Sequence, residues 1–294
     1  MSATSGEPTR DPGWTWPAAG IPRGAWALLA VAAVAVIVGA VMRGFYGWEW
    51  YWDLQLIIRA VPSALPIVVG AAALAGAFRW PRSGRWLLAG AGALALNGVL
   101  TVIGDTWIFA WSNWIATTPN EVQQGLAIAQ AQIAELSLIG GFALLAIGLW
   151  RGGDPGNPIA GWRLLAILAT VVLGALALGG VAAYVAAAMQ GLPVLPPIEI
   201  VYWVFLILEV VSATAFAAVA VRAIPDRHRL PEIAIATGAM IWTVSRGGVT
   251  WLISIPPGEV LDDAVLVFSR GAVAGLAVLA AGFLAARLFP ARPA

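Results

Sequence analysis

The sequence predicts an all-α fold, a polytopic membrane helix bundle of about eight transmembrane helices, and three observations support it. Hydrophobic residues make up 61% of the chain and charged residues 11%, whereas a soluble domain carries about 25% charged residues. The apolar runs are continuous over about 20 residues, the length that a helix needs to cross a bilayer. They lack the alternation over about 10 residues that marks the strands of a membrane barrel. Because only helices and closed barrels satisfy every backbone group in lipid, we expect a helix bundle.

The chain begins with a polar segment and continues as a series of apolar runs. Residues 1–22 are rich in Pro, Gly, Thr and charge, so we expect a disordered cytoplasmic tail without a signal-peptide cleavage site. The fifth run is longer than a bilayer requires, which indicates a tilted helix or one that continues into water. The seventh run is the least regular, because Arg246 lies inside it. The predicted spans are 24–42, 58–78, 86–105, 128–150, 162–188, 200–222, 232–254 and 264–288.

Arginine is distributed unevenly among the segments that connect these spans. The chain has 16 basic residues, and all of them are Arg. By the positive-inside rule their distribution predicts a multi-pass protein of the plasma membrane with both termini cytoplasmic. The arginines on the predicted cytoplasmic side are Arg10, Arg23, Arg79, Arg82, Arg85, Arg151, Arg163, Arg222, Arg227, Arg229, Arg287 and Arg292. The acidic residues on the opposite side are Glu49, Asp53, Glu121, Glu199, Glu259, Asp262 and Asp263.

Short sequence matches between the two halves suggest an internal duplication. Segment 26–30 resembles 162–166, segment 81–85 resembles 225–229, and segment 97–101 resembles 246–250. Four spans in each copy would give the copies the same orientation, related by an axis along the membrane normal. The alternative is that Ala- and Leu-rich helices align by composition alone. We expect a first four-helix repeat over 23–152 and a second over 153–294.

Four ionisable side chains fall inside the predicted spans. Glu135, Glu209, Arg246 and Arg270 are two acids and two bases, and each costs about 2.5–3.5 kcal/mol to place at the bilayer centre. One interpretation is that they form interhelical ion pairs that specify the packing. The other is that Glu135 and Glu209 bind a proton or cation, with a neighbouring Arg setting their affinity.

Uncharged polar side chains accompany these charges. Gln132 lies three residues before Glu135, so both fall near one face of the fourth span. One interpretation is that this face lines a cavity inside the bundle and that Asn97 in the third span faces the same cavity. The alternative is that such amides hydrogen-bond one helix to another, which contributes about 1 kcal/mol each.

Several functional classes are disfavoured by composition. The chain has no Cys and one His, which excludes Cys-ligated zinc, iron–sulfur clusters and multi-His sites, so we expect no metal centre and no cofactor. A net charge of +1 argues against a nucleic-acid partner. Neither a Walker loop nor a Gly-x-Ser-x-Gly or His-Glu-x-x-His motif is present, so we expect no enzyme.

Three functional hypotheses remain from the sequence, and the third, an intramembrane enzyme that uses carboxylates alone, has no catalytic motif to support it. The first is a transporter or permease-like component that moves or binds a small solute, proton or cation along a path lined by Glu135, Glu209, Arg246 and Arg270. The second is a non-catalytic membrane scaffold or sensory subunit that partners a separate protein chain. The suggested duplication favours the first hypothesis, because parallel repeats leave a central interface in which a path can form. Tight, closed packing at that interface would favour the second.

Overall fold

The computed structural model describes eight helices and a few flanking residues. The described residues are 22–46, 54–77, 80, 84–114, 120–152, 161–189, 199–224, 229–253 and 259–288. The tail predicted over 1–22 lies outside them except for residue 22, and so do Glu49 and Asp53 of the predicted acidic side. The helices are α1 (Arg23–Tyr46), α2 (Leu54–Gly76), α3 (Gly84–Trp114), α4 (Asn120–Gly152), α5 (Gly161–Met189), α6 (Glu199–Arg222), α7 (Leu230–Ile253) and α8 (Glu259–Leu288).

The prediction of a helical membrane bundle is confirmed, and the chain is an integral, multi-pass membrane protein. Within the described residues, six helices are long and apolar enough to cross a bilayer, and α2 contributes a shorter apolar stretch over Val61–Gly76. Helix α7 falls below this criterion because it contains Glu232 and Arg246. Its neighbours α5, α6 and α8 pack around it, so protein surrounds much of its polar surface.

The helices pack in two sets of four with matching contacts. In the first set α1 contacts α2 and α3, α2 contacts α3, and α3 contacts α4. In the second set α5 contacts α6 and α7, α6 contacts α7, and α7 contacts α8. The described parts of the two sets meet through two pairs, α2 with α8 and α4 with α6. If α1 to α4 are exchanged with α5 to α8 in order, each of these contacts therefore becomes another contact of the same list.

Glycines let α3 approach α4, and α7 approach α8, at corresponding positions. In both pairs the helices run antiparallel, and each of three glycines lies against a residue of the partner helix, against its side chain in the first pair and mainly against its backbone in the second. Such close contacts increase dispersion attraction where no hydrophobic effect acts between helices. The first pair uses Gly90, Gly141 and Gly148 against Leu145, Leu94 and Leu87; the second uses Gly238, Gly275 and Gly282 against Leu279, Trp242 and Ile235.

Helices α1 and α5 form the outer members of the two sets. They are the least buried of the candidate spans, and most of their large side chains are exposed, Val34 and Leu165 among them. Each helix buries a narrow stripe that includes Ala25 and Ala32 in α1 and Arg163 and Thr170 in α5. An apolar helix surface of this kind is stable only against lipid, which fits outer positions in a membrane bundle.

A row of aromatic side chains fills the interface between the two sets of helices. The ring centroids of Trp80 and Phe283 lie 6.4 Å apart, those of Phe283 and Phe216 6.3 Å, those of Phe216 and Phe142 5.7 Å, and those of Phe142 and Trp242 5.0 Å. All five residues are buried. These spacings are typical of packed aromatic pairs, so this row (the aromatic row below) fills the interface with buried rings.

Arginines and tryptophans pair at one end of the bundle, where α2, α4, α6 and α8 end. We call it the basic end. Amphipathic rings and long cationic side chains both favour the membrane interface. The guanidinium carbons lie over indole rings at 3.9 Å for Arg222 and Trp150, 4.9 Å for Arg151 and Trp86, and 5.4 Å for Arg229 and Trp162.

Candidate functional site

A buried ion pair joins α6 to α7 in the middle of the bundle. The Arg246 guanidinium donates two hydrogen bonds to the Glu209 carboxylate, Nε to Oε1 at 3.0 Å and Nη2 to Oε2 at 3.0 Å. This two-point geometry is the strongest form of such a pair. The Glu209 side chain is 1% exposed and that of Arg246 is 29% exposed, so the carboxylate is enclosed by protein and the guanidinium is partly accessible.

Glu135 of α4 lies beside this pair as a second acid. The charges of Glu209 and Arg246 both act on its carboxyl group. Its Oε2 atom is buried and has no hydrogen-bond partner among the described residues. Glu135, Glu209 and Arg246 therefore form one group, which we call the charged triad, contributed by α4, α6 and α7.

Two amide side chains fasten α3 to α4 next to the charged triad. The Asn97 Nδ2 atom donates to the carbonyl oxygen of Ala134 at 2.9 Å, one residue before Glu135. Gln130 donates through Nε2 to the carbonyl oxygen of Leu100. Asn97 is buried. Both amides thus act between helices, and Asn97 fixes the backbone that carries Glu135 instead of exposing its amide to a cavity.

The charges of the triad do not balance by themselves. Two carboxyl groups share one guanidinium, and the ion pair already uses both oxygens of Glu209. An unpaired carboxylate in a low-dielectric interior is strongly unfavourable, so such a group takes up a proton or a counter-ion. The arrangement is therefore suited to binding one positive charge at Glu135.

The sequence grouped Glu135, Glu209, Arg246, Arg270, Gln132 and Asn97, and the structure brings together part of this set. Arg270 is exposed on α8, and it does not appear among the charges that act on Glu135. Gln132 is partly buried. Asn97 reaches the backbone beside Glu135. The described structure thus gathers three of the four charged residues and one of the two amides.

Two buried charged residues near the basic end were not anticipated from the sequence. Arg163 in the first turn of α5 and Glu232 in the first turn of α7 are each 1% exposed. The sequence prediction counted Arg163 among the cytoplasmic arginines, at the start of the fifth span, and placed Glu232 at the first residue of the seventh. A signal for Glu232 was available, because an acid in the first turn of a helix interacts favourably with the helix dipole.

The packing correspondence between the two sets of helices identifies counterparts for the triad. In α3 and α7, Leu87, Gly90 and Leu94 match Ile235, Gly238 and Trp242. This register makes Gly98 the equivalent of Arg246 and Asn97 the equivalent of Ser245, one residue away from the sequence match of 97–101 with 246–250. The same backbone hydrogen bond follows the end of each of the helices α2 and α6. Trp80 N donates to Ala77 O after α2, and Ile224 N donates to Val221 O after α6. This register makes Leu65 the equivalent of Glu209, and the matching glycines of α4 and α8 make Ser269 the equivalent of Glu135. The counterparts Leu65, Gly98 and Ser269 carry no charge.

No protein-family model, curated protein or solved structure matches this chain.

Proposed function

We propose that this membrane protein is a transporter or permease-like component that binds a proton or small cation at the charged triad. The observation that carries the proposal is Glu135, an acid inside the membrane whose Oε2 atom is buried without a hydrogen-bond partner in the described structure. Ionisable groups at this depth are costly and characteristically lie on ion or proton pathways. The adjacent Arg246–Glu209 pair supplies opposite charges that tune the affinity of Glu135.

We also propose that the two sets of helices are copies of one four-helix unit, with 23–152 and 153–294 as the repeats. The matching helix contacts and the matching glycine positions support this proposal. Helices related in this way can move against each other as two bodies, which is the usual basis of alternating access. The triad lies at one of the two joints, since α4 and α6 come from different sets.

The proposed location is the plasma membrane, with the basic end and both termini in the cytoplasm. The Arg–Trp pairs at the basic end support this orientation, because positively charged residues are retained on the cytoplasmic side. The triad then lies between the aromatic row on the cytoplasmic side and the outer leaflet. In this conformation the site is closed toward the cytoplasm.

Proton movement through reconstituted vesicles tests the proposal. The purified protein is placed in lipid vesicles that contain a pH-sensitive dye, and a pH gradient is imposed with the membrane potential clamped. We expect the wild type to dissipate the gradient and Glu135→Gln to reduce the rate to that of protein-free vesicles. Replacement of the imposed proton gradient by a sodium or potassium gradient tests small cations in the same preparation.

A matched control uses the charge that the structure leaves outside the triad. Arg270→Gln removes an exposed charge from α8, and we expect wild-type flux from it. Equal flux in the wild type and in Glu135→Gln would contradict the proposed role of Glu135. Cation or proton flux that matches protein-free vesicles in every preparation would contradict transport altogether.

The aromatic row favours a second candidate function, a non-catalytic scaffold or sensory subunit for a separate protein chain. Tight packing of Trp80, Phe283, Phe216 and Phe142 across the interface is typical of a rigid assembly. In that function the triad serves to fix the register of α4, α6 and α7. This second function predicts that vesicles with the wild-type protein dissipate no gradient, and that charge changes in the triad alter only the stability of the protein.

A further inference from the structure

The number of charges in the triad limits the kinds of ligand that Glu135 can bind. The Arg246 guanidinium is held by both oxygens of Glu209 at 3.0 Å, and the Glu135 Oε2 atom is buried without a hydrogen-bond partner in the described structure. We infer that Glu135 is a proton-binding site and that the triad holds one proton when it is closed to water. This inference deepens the proposed function, because it selects the proton from the two classes of ligand proposed there.

The surroundings of Glu135 do not suit a metal ion. Hard cations such as Ca²⁺ take about six to eight oxygen ligands, and Mg²⁺ keeps several waters. The described residues contain no group of three or more His, Cys, Asp or Glu that could hold a metal. The second carboxylate of the site is already committed to Arg246. A proton needs one oxygen only, and a buried carboxyl oxygen meets that need.

The groups that face Glu135 come from three helices. Helix α6 contributes Glu209 and helix α7 contributes Arg246, and these are the charges that act on it within the described structure. Helix α3 contributes the uncharged Asn97, which donates to the Ala134 carbonyl next to it. When Glu135 takes a proton from a hydronium ion, an O–H bond of that ion breaks and leaves water, an O–H bond to the carboxyl group forms, and the triad becomes neutral overall. Release of the proton restores the second negative charge and leaves Arg246 shared between two acids.

Neutrality makes the number of bound protons depend on the composition of the triad. The wild type has two carboxyl groups and one guanidinium, so one carboxyl stays protonated. Glu135→Gln removes the protonated group. Glu209→Gln frees Arg246 to pair with Glu135, which then stays ionised. Arg246→Gln leaves two carboxyl groups without a cation, so both are expected to hold a proton.

Infrared difference spectroscopy of the purified protein in lipid vesicles measures this number. The C=O stretch of a protonated carboxylic acid shifts between H₂O and D₂O and disappears when the group ionises. The titration runs upward from neutral pH, where carboxyl groups in contact with water are already ionised. We expect one band in the wild type, no band in Glu135→Gln or Glu209→Gln, and two in Arg246→Gln.

Glu232→Gln provides the matched control, because Glu232 is a buried acid in the first turn of α7 and lies outside the triad. It should keep the wild-type band. A band that survives in Glu135→Gln, or a wild type without a band, would overturn the inference. Because Glu135→Gln and Glu209→Gln test the count without removing the arginine, a failure of Arg246→Gln to fold leaves the test intact. The spectra measure binding alone, so a band without proton flux refutes transport while it keeps the proton site.

Discussion

The charged triad and its counterpart lie on the same framework of packed helices but differ in chemistry. Glu135, Glu209 and Arg246 come from α4, α6 and α7, and the corresponding helices α8, α2 and α3 contribute Ser269, Leu65 and Gly98. At Gly98 the side chain of Ile67 fills the space that a larger residue would need. The glycines that bring the helices together are present on both sides. The comparison indicates that this helix packing does not require charges at the three positions, because the counterpart positions have the same packing with uncharged residues.

Removal of Arg246 should give the largest effect on stability. Arg246→Leu leaves Glu209 and Glu135 buried without a cation, and breaking a buried pair in this way costs about 3–5 kcal/mol. The free energy of unfolding, measured by denaturant titration in detergent micelles, reports the loss. The same measurement on Ser269→Leu, at the uncharged counterpart of Glu135, should show little change.

A double variant separates charge from packing at this pair. Glu209→Leu combined with Arg246→Leu removes both members, and apolar residues of similar volume replace buried ion pairs with little loss of stability. We therefore expect the double variant to recover most of the stability that Arg246→Leu loses. A double variant as unstable as Arg246→Leu would mean that the triad, like its counterpart, is held mainly by shape.

The glycine contacts should give an intermediate effect that is graded along the shared framework. A Cβ atom at Gly275 would overlap the backbone of Trp242, whereas one at Gly141 would meet the end of the Leu94 side chain. Overpacking of a dense core costs about 1–3 kcal/mol, so Gly275→Ala should lie in that range and Gly141→Ala below it. Gly140→Ala meets nothing within 4 Å and is the control. Thermal unfolding of the three variants gives the order, and a reversed order would contradict the assigned difference between backbone and side-chain contacts at the two glycines.

The amide that supports Glu135 should give the smallest effect. Asn97→Ala removes the hydrogen bond to Ala134, and interhelical hydrogen bonds in membranes contribute about 0.6 kcal/mol on average and at most about 1.7. Its counterpart Ser245 has a shorter side chain, so Ser245→Ala should cost less. Equal losses in the two variants, measured as free energies of unfolding, would remove the special role assigned to Asn97.

The fold was predictable because lipid imposes a simple rule on sequence. Each predicted span overlaps one observed helix, and each helix extends beyond its span at one end or both, most clearly α3, which reaches Trp114, and α4, which begins at Asn120. The extensions contain polar residues such as Asn113 and Glu121. Such residues end an apolar run without ending a helix, so hydropathy marks the membrane-crossing part and not the helix itself.

The site was predictable in its residue types but not in its membership. Rarity of charge in lipid identified Glu135, Glu209 and Arg246. Arg270 was included by the same reasoning, yet it is exposed on α8. The sequence could not distinguish Arg270 from the three residues of the triad. In a membrane both the core face and the lipid face of a helix are apolar, so hydrophobic periodicity does not tell which way a side chain points.

The aromatic row has a consequence for the speed of any transport. Its rings fill the joint between α2, α8, α4 and α6 from Trp80 to Trp242, one helical turn from Arg246. An ion that leaves the triad toward the basic end must wait until these rings separate, and collective movements of packed helices take microseconds to milliseconds. Turnover would therefore saturate with rising gradient and depend steeply on temperature, as in a carrier, instead of growing in proportion to the gradient, as in a water-filled pore.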